Sequence, residues 1–141
     1  MYEDAITNRT AKCQCGVLQA RVSGDPLLVL VCHCSACQHR TGAPFSYCVY
    51  FERSKVRLEG TSNCYEREGQ AGRKLRYHFC PRCGTTVYWE LDFRPDRYGI
   101  AATLFDEKSF PVPTLSIWEE NRCDWIVLPD GVMHLQRQPD G

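Results

Sequence analysis

Ten cysteines in 141 residues constrain this chain more than any other feature. Seven of them fall into three tight clusters, Cys13-Gln14-Cys15-Gly16, Cys32-His33-Cys34-Ser35-Ala36-Cys37 and Cys80-Pro81-Arg82-Cys83-Gly84. Such density means either a disulfide framework or a set of metal ligands, and compartment decides between them, because cytosolic thiols are kept reduced. The opening MYEDAITNRT has neither the basic stretch nor the apolar core of a secretory signal, and no run of eighteen apolar residues occurs. The expected compartment is therefore the cytoplasm, without membrane insertion. Disulfide-rich domains scatter their cysteines, whereas these come in close pairs, so metal binding is the leading expectation.

Zinc bound by thiolates takes four ligands in a tetrahedron, which two Cys-x-Cys or Cys-x-x-Cys pairs from distant parts of a chain can supply. The Cys80–Cys83 spacing suits a tight turn. Pro81 presets φ, and Gly84 tolerates the left-handed backbone that aims N–H groups at sulfur. Cys13 and Cys15, two apart, share one face of an extended segment. Together the two pairs predict a structural zinc on Cys13, Cys15, Cys80 and Cys83; the competing reading is four reduced core thiols.

The middle cluster is of a different kind. Cys32, Cys34 and Cys37 are three thiols with no obvious fourth partner, and three protein ligands leave one position open, which separates catalytic from structural zinc. An apolar turn with reduced thiols, or a redox pair at Cys34 and Cys37, would fit the same spacing. His33, between two ligands in an extended segment, points away from them. His39 and Arg40 could reach an acidic substrate, although a solvated helix face is the commoner fate. His78 reads as a polar-face strand residue, Cys48, Cys64 and Cys123 as inert thiols, and Trp89, Trp118 and Trp125 as core.

Most of the remaining sequence reads as short strands. Residues 17–22, 45–51 and 75–79 alternate apolar and polar, 27–31 is a continuous apolar run, and 85–91, 98–104, 114–118 and 124–128 are further candidates. Gly, Pro, Asn and Asp punctuate them. Residues 35–41, ending before Gly42, are the one short helix expected, and the polar tail after Leu135 should fray. A mainly β fold in one domain spanning residues 1–141 follows, with its core at about 11–135.

The order CxCG, CHCxxC, CPxCG resembles the glutathione-dependent formaldehyde-activating enzyme family, which includes centromere protein V. Cys32 to Phe45, Phe79 to Trp89 and Asp124 to His134 resemble that family's blocks in the same order. The resemblance implies a β-tent of two antiparallel sheets around a structural zinc on Cys13, Cys15, Cys80 and Cys83, with a second, catalytic zinc on Cys32, Cys34 and Cys37. It also implies a carbon–sulfur lyase that joins glutathione and formaldehyde as S-hydroxymethylglutathione.

The expected function is therefore a zinc enzyme making or breaking a thiohemiacetal between glutathione, or a related thiol, and a small aldehyde. A zinc-stabilised binding module and a thiol redox protein are the alternatives. Seventeen basic residues balance seventeen acidic ones, which argues against a nucleic-acid partner. The basic runs Arg53, Lys55, Arg57 and Arg73, Lys74, Arg76 read as solvent-facing strand residues.

Overall fold

The computed structural model describes residues 8–106 and 112–139. Its strands are β1 (Asn8–Lys12), β2 (Gln19–Ser23), β3 (Leu28–Cys32), β4 (Ser46–Glu52), β5 (Val56–Glu59), β6 (Asn63–Glu68), β7 (Lys74–Phe79), β8 (Thr86–Leu91), β9 (Arg97–Ala101), β10 (Leu115–Ile117) and β11 (Met133–His134). One helix, α1, covers Ser35–Thr41, as expected. Among the described residues, no helix is long and apolar enough to cross a membrane.

The strands form two sheets, a small one ordered β1-β2-β5 and a large one ordered β11-β10-β3-β4-β9-β8-β7-β6. The mainly β expectation in two sheets holds. The large sheet is antiparallel from β3 to β6, but β10 runs parallel to both β3 and β11. That mixed edge departs from a purely antiparallel pair of sheets. It arises because β10 and β11 reach the sheet through long connections rather than hairpins.

Alternation of side chains across the pleat gives the large sheet two different faces. On one face Val29, Val49, Phe51 and Ile100 meet Ala11, Leu18, Ala20 and Val22 of the small-sheet side, forming the main core. On the other, Leu30, Cys48, Tyr77, Trp89 and Leu91 form a second cluster with Cys32, Cys37 and Ile117. Register builds an aromatic floor on this second face: Tyr50 lies opposite Gly99, Gly99 opposite Trp89, and Trp89 opposite Tyr77. Gly99 is required there, because a Cβ would collide with the Trp89 indole, which crosses β9 to donate from Nε1 to the Tyr50 hydroxyl at 3.2 Å.

Three expectations need correction. Residues 124–128 are not a strand: the chain turns there, with Ile126 N–H donating to Cys123 O at 3.1 Å and Arg122 donating to Ile126 O at 2.6 Å. Trp125, read as core, is 71% exposed. The tail does not fray through Gln138, since Leu135 N–H donates to Ser116 O at 2.9 Å and Trp118 Nε1 donates to Gln138 Oε1 at 3.2 Å. Strands β1, β5, β6 and β11 went unexpected because β1 and β6 are polar and β5 and β11 are only four and two residues long; all six residues of β6 are exposed or half-buried.

Candidate metal centres and the cavity beside the three-cysteine cluster

The first centre is made by two turns facing each other. After β1, Gly16 N–H closes a turn onto Cys13 O at 3.0 Å with Gly16 at φ 86°, and Leu18 N–H donates to Cys13 Sγ at 3.2 Å. After β7, Gly84 N–H closes the second turn onto Cys80 O at 2.8 Å with Gly84 at φ 82°, and Arg82 N–H donates to Cys80 Sγ at 3.4 Å. Gln14 N–H ties the turns together by donating to Thr85 Oγ1 at 3.1 Å.

Their four sulfurs, from Cys13, Cys15, Cys80 and Cys83, all lie within 4.8 Å of one another, a set that could hold a metal ion. Cys15 Sγ stands 3.7 Å from Cys13 Sγ and 3.6 Å from Cys80 Sγ. A tetrahedron of sulfurs at the zinc–thiolate distance has edges of about 3.8 Å, so this donor set fits zinc in size and chemistry. Hydrogen bonds from the Thr85 hydroxyl and backbone draw the Cys83 thiol down to about 5, which readies it as a thiolate.

The second centre sits where β3 ends and α1 begins. Cys32 is the last residue of β3, Cys34 is the N-cap of α1, and Cys37 lies in its first turn. Cys34 Sγ accepts from Cys37 N–H at 3.3 Å, the position a capping side chain takes. These three sulfurs also lie within 4.8 Å of one another. Hydrogen bonds from Cys32 and Cys37 lower the Cys34 thiol, and the same contact with Cys34 raises Cys32. Cys32 and Cys37 are buried while Cys34 is half-buried.

Cys34 faces a cavity of about 390 Å³ lined by aromatic side chains, whereas the cleft of about 420 Å³ beside Cys13 and Cys15 has none. The cavity's floor is the aromatic face of the large sheet, and its far wall is Trp118 with Asn121 and Gln138. Arg40, placed by sequence on a solvated helix face, turns inward instead. Its guanidinium stacks over Tyr77 at 4.9 Å and Trp89 at 4.8 Å, donates to Ser46 Oγ at 2.7 Å, and lies 3.9 Å from Cys37 Sγ. Arg67 and Arg73 also line the cavity, so Arg73 is not the solvent-facing residue the sequence implied. Arg67 stood on no expected site, because β6 itself carries no apolar period in the sequence. Among the described residues, Ala71 (φ 60°) and Trp118 (φ 58°) alone combine a positive φ with a side chain, and both stand at this cavity's edge.

The other sequence candidates lie elsewhere. His33 is fully buried and points away from the sulfurs, with Nε2 3.0 Å from Ser116 Oγ, and burial lowers its pKa so that it stays neutral. Ser116 donates on to Glu119, which also accepts from His134 at 2.6 Å. His78, on the opposite face of the sheet from the cavity, bonds Glu90 at 2.7 Å and Ser62 at 3.1 Å. His39 is exposed and bonds its own helix at Ser35 O. Burial pushes Cys48 up to about 12, leaving it an inert thiol beside the cavity, while Cys64 is exposed.

A crystal structure of a Rhodobacter sphaeroides protein shares the fold, with a TM-score of 0.54 at 21% identity over 72% of this chain and 90% of that one. No curated protein matches. The family profile described as glutathione-dependent formaldehyde-activating enzyme matches residues 8–121 and so takes in both centres. With three spaced cysteine clusters, two sheets and a profile match across most of its length, this chain belongs to the glutathione-dependent formaldehyde-activating enzyme family.

Proposed function

We propose that this chain is a cytoplasmic, zinc-dependent carbon–sulfur lyase-like enzyme that makes or breaks the thiohemiacetal between glutathione and a small aldehyde, formaldehyde first. Cys13, Cys15, Cys80 and Cys83 would hold a structural zinc, and Cys32, Cys34 and Cys37 the reactive one, within a single domain. The observation that carries this reading is the three-sulfur cluster opening onto a cavity of about 390 Å³, large enough for a small organic ligand. The family description names the thiol and the aldehyde.

In the forward direction a sulfur–carbon bond forms as the aldehyde's carbon–oxygen π bond opens, and the thiol proton ends on the new hydroxyl. The reverse reaction returns both partners. A zinc held by Cys32, Cys34 and Cys37 would supply a Lewis acid able to keep an incoming thiol ionised near neutral pH. Three thiolates around a divalent ion leave about one net negative charge, which would repel a second anionic sulfur. Arg40 offsets that charge from 3.9 Å away, and its stacking between Tyr77 and Trp89 keeps the guanidinium from leaving. The aromatic floor and Trp118 would give the reactants an apolar face to pack against.

Metal analysis of freshly prepared protein should give two zinc ions per chain. In cobalt-substituted protein a sulfur-to-cobalt charge-transfer band should grow as glutathione is added. Cys34→Ala should abolish that growth while keeping the bands of the four-cysteine centre. A protein that binds metal at Cys32, Cys34 and Cys37, yet shows no thiol response and no acceleration of aldehyde–thiol exchange, would overturn the proposal.

A further inference from the structure

The cavity is lined by three arginines, Arg40, Arg67 and Arg73, against one carboxylate, Glu68. Among the described residues none of the three forms an ion pair with an acidic side chain, although Arg21, Arg53, Arg76, Arg97, Arg122 and Arg137 all do. Arg40 is committed to the sulfur cluster through Cys37 and Ser46. Arg73 is not, and Arg67 meets the cluster only through the charge it shares with Cys34 and Cys37, without a hydrogen bond to either. Both are half-buried and neither has a carboxylate partner, so each keeps N–H groups that an anionic ligand would satisfy.

Their poses point to what that is. Arg67 stacks over Tyr77 at 5.7 Å and spends only its Nε, donating to the Tyr77 hydroxyl at 3.1 Å. Arg73 stacks over Phe93 at 4.7 Å. Stacking occupies the face of a guanidinium and leaves the in-plane N–H groups at its edge, which match the two oxygens of a carboxylate. Both arginines belong to one hairpin, Arg67 in β6 and Arg73 just before β7. Its turn, Gln70 to Arg73, is closed by Arg73 N–H on Gln70 O at 3.3 Å, with Ala71 and Gly72 both left-handed at φ 60° and 73°. Such a type I′ turn fixes the strand ends tightly, so the two guanidiniums are presented as a pair over the mouth.

We infer that Arg67 and Arg73 are the specificity-determining residues of the cavity, selecting a thiol that carries carboxylates over a neutral one. The inference rests on the proposed function for its account of why a thiol enters at all. It adds that recognition is made at the hairpin, away from the sulfurs, through the acid groups of the thiol's carrier.

The test uses S-methylglutathione, which keeps both carboxylates and has no free thiol, titrated into the zinc-loaded full chain and followed by calorimetry and tryptophan fluorescence. Arg67→Gln and Arg73→Gln should each weaken it about ten- to a hundredfold, the range for loss of a charged hydrogen-bonded partner. The diethyl ester of the same ligand should bind the parent as weakly as the acid binds the variants and should be indifferent to either substitution. Arg67→Lys, which keeps charge but loses the fork, should recover less than half of the lost binding energy. Equal binding of acid and ester to the parent, or variants that bind the acid like the parent, would overturn the inference. The two readings fail separately: cobalt-protein that answers glutathione but not these substitutions sinks the hairpin's role alone, whereas acid-selective binding without any thiol response sinks the catalytic reading alone.

Discussion

The two cysteine centres are built from the same ligand and differ in almost everything around it. At the four-cysteine centre the sulfurs are braced by turns whose left-handed positions are glycines, Gly16 and Gly84, so the backbone reaches its geometry without steric cost. Beside the three-cysteine centre and its cavity, two of the left-handed positions, Ala71 and Trp118, carry side chains that resist that conformation, while Gly42 and Gly72 take it freely. The first centre joins two distant turns and opens onto no comparable apolar cavity, while the second abuts a floor of aromatic rings. The contrast teaches that closure of a metal site is a property of the surrounding backbone as much as of ligand number.

The sharpest way to break this comparison is to remove one ligand from each centre. Binding of structural zinc contributes an apparent free energy of about 10–16 kcal/mol in small zinc domains. Cys83→Ser should therefore lose the cooperative thermal transition and aggregate. Cys37→Ser should keep that transition within a few degrees and lose the second equivalent of metal. Circular dichroism melts with metal analysis on the same samples would check both, and identical melts for the two variants would end the distinction.

The next largest effect concerns the floor under the second centre. Gly99→Ala puts a methyl group where the Trp89 indole lies, so the ring must leave Tyr50 and tilt into the cavity. Overpacking of this kind costs about 1–3 kcal/mol. The variant should melt lower and bind S-methylglutathione more weakly, while metal content stays at the parental value.

Much of this architecture was legible in the residues. Val29 to Val31, the alternation through β4 and the Cys-Pro-Arg-Cys-Gly knuckle are strong local signals, and each became the element its pattern implied. Strands β1 and β6 were not legible, because edge strands bury little and so carry no apolar period; only Ala11 of β1 is buried. Residues 124–128 misled for the opposite reason. Their apolar side chains Trp125 and Val127 are exposed, at 71% and 89%, and only Ile126 turns inward. The sulfur clusters declared themselves through spacing alone, but Arg40, Arg67 and Arg73 did not. Their place depends on a hairpin and a helix face meeting over the sheet, which no local pattern encodes.

The smallest effects test the glycine contrast itself. At Gly84 a Cβ would meet nothing within 4 Å, so Gly84→Ala should cost only the left-handed conformation, about 1–2 kcal/mol. Ala71→Gly should go the other way, raising stability by less than about 1 kcal/mol, because relief of the same conformation is partly offset by the entropy glycine adds to the unfolded chain. Paired denaturant titrations would resolve both signs. A destabilised Ala71→Gly would mean that the hairpin tip carries no backbone strain.

The parallel pairing of β10 with β3 has a consequence in time rather than in space. Leu115 lies opposite Leu30, and β11 then adds outside β10, with Met133 opposite Leu115. A chain made from its N-terminus has all four sulfurs of the first centre free to meet once Gly84 has emerged. The partner of β3's outer edge and the Trp118–Gln138 wall arrive tens of residues later, and that edge stays open meanwhile. Synthesis therefore makes the four sulfurs of the first centre available before the wall over the three-sulfur cluster.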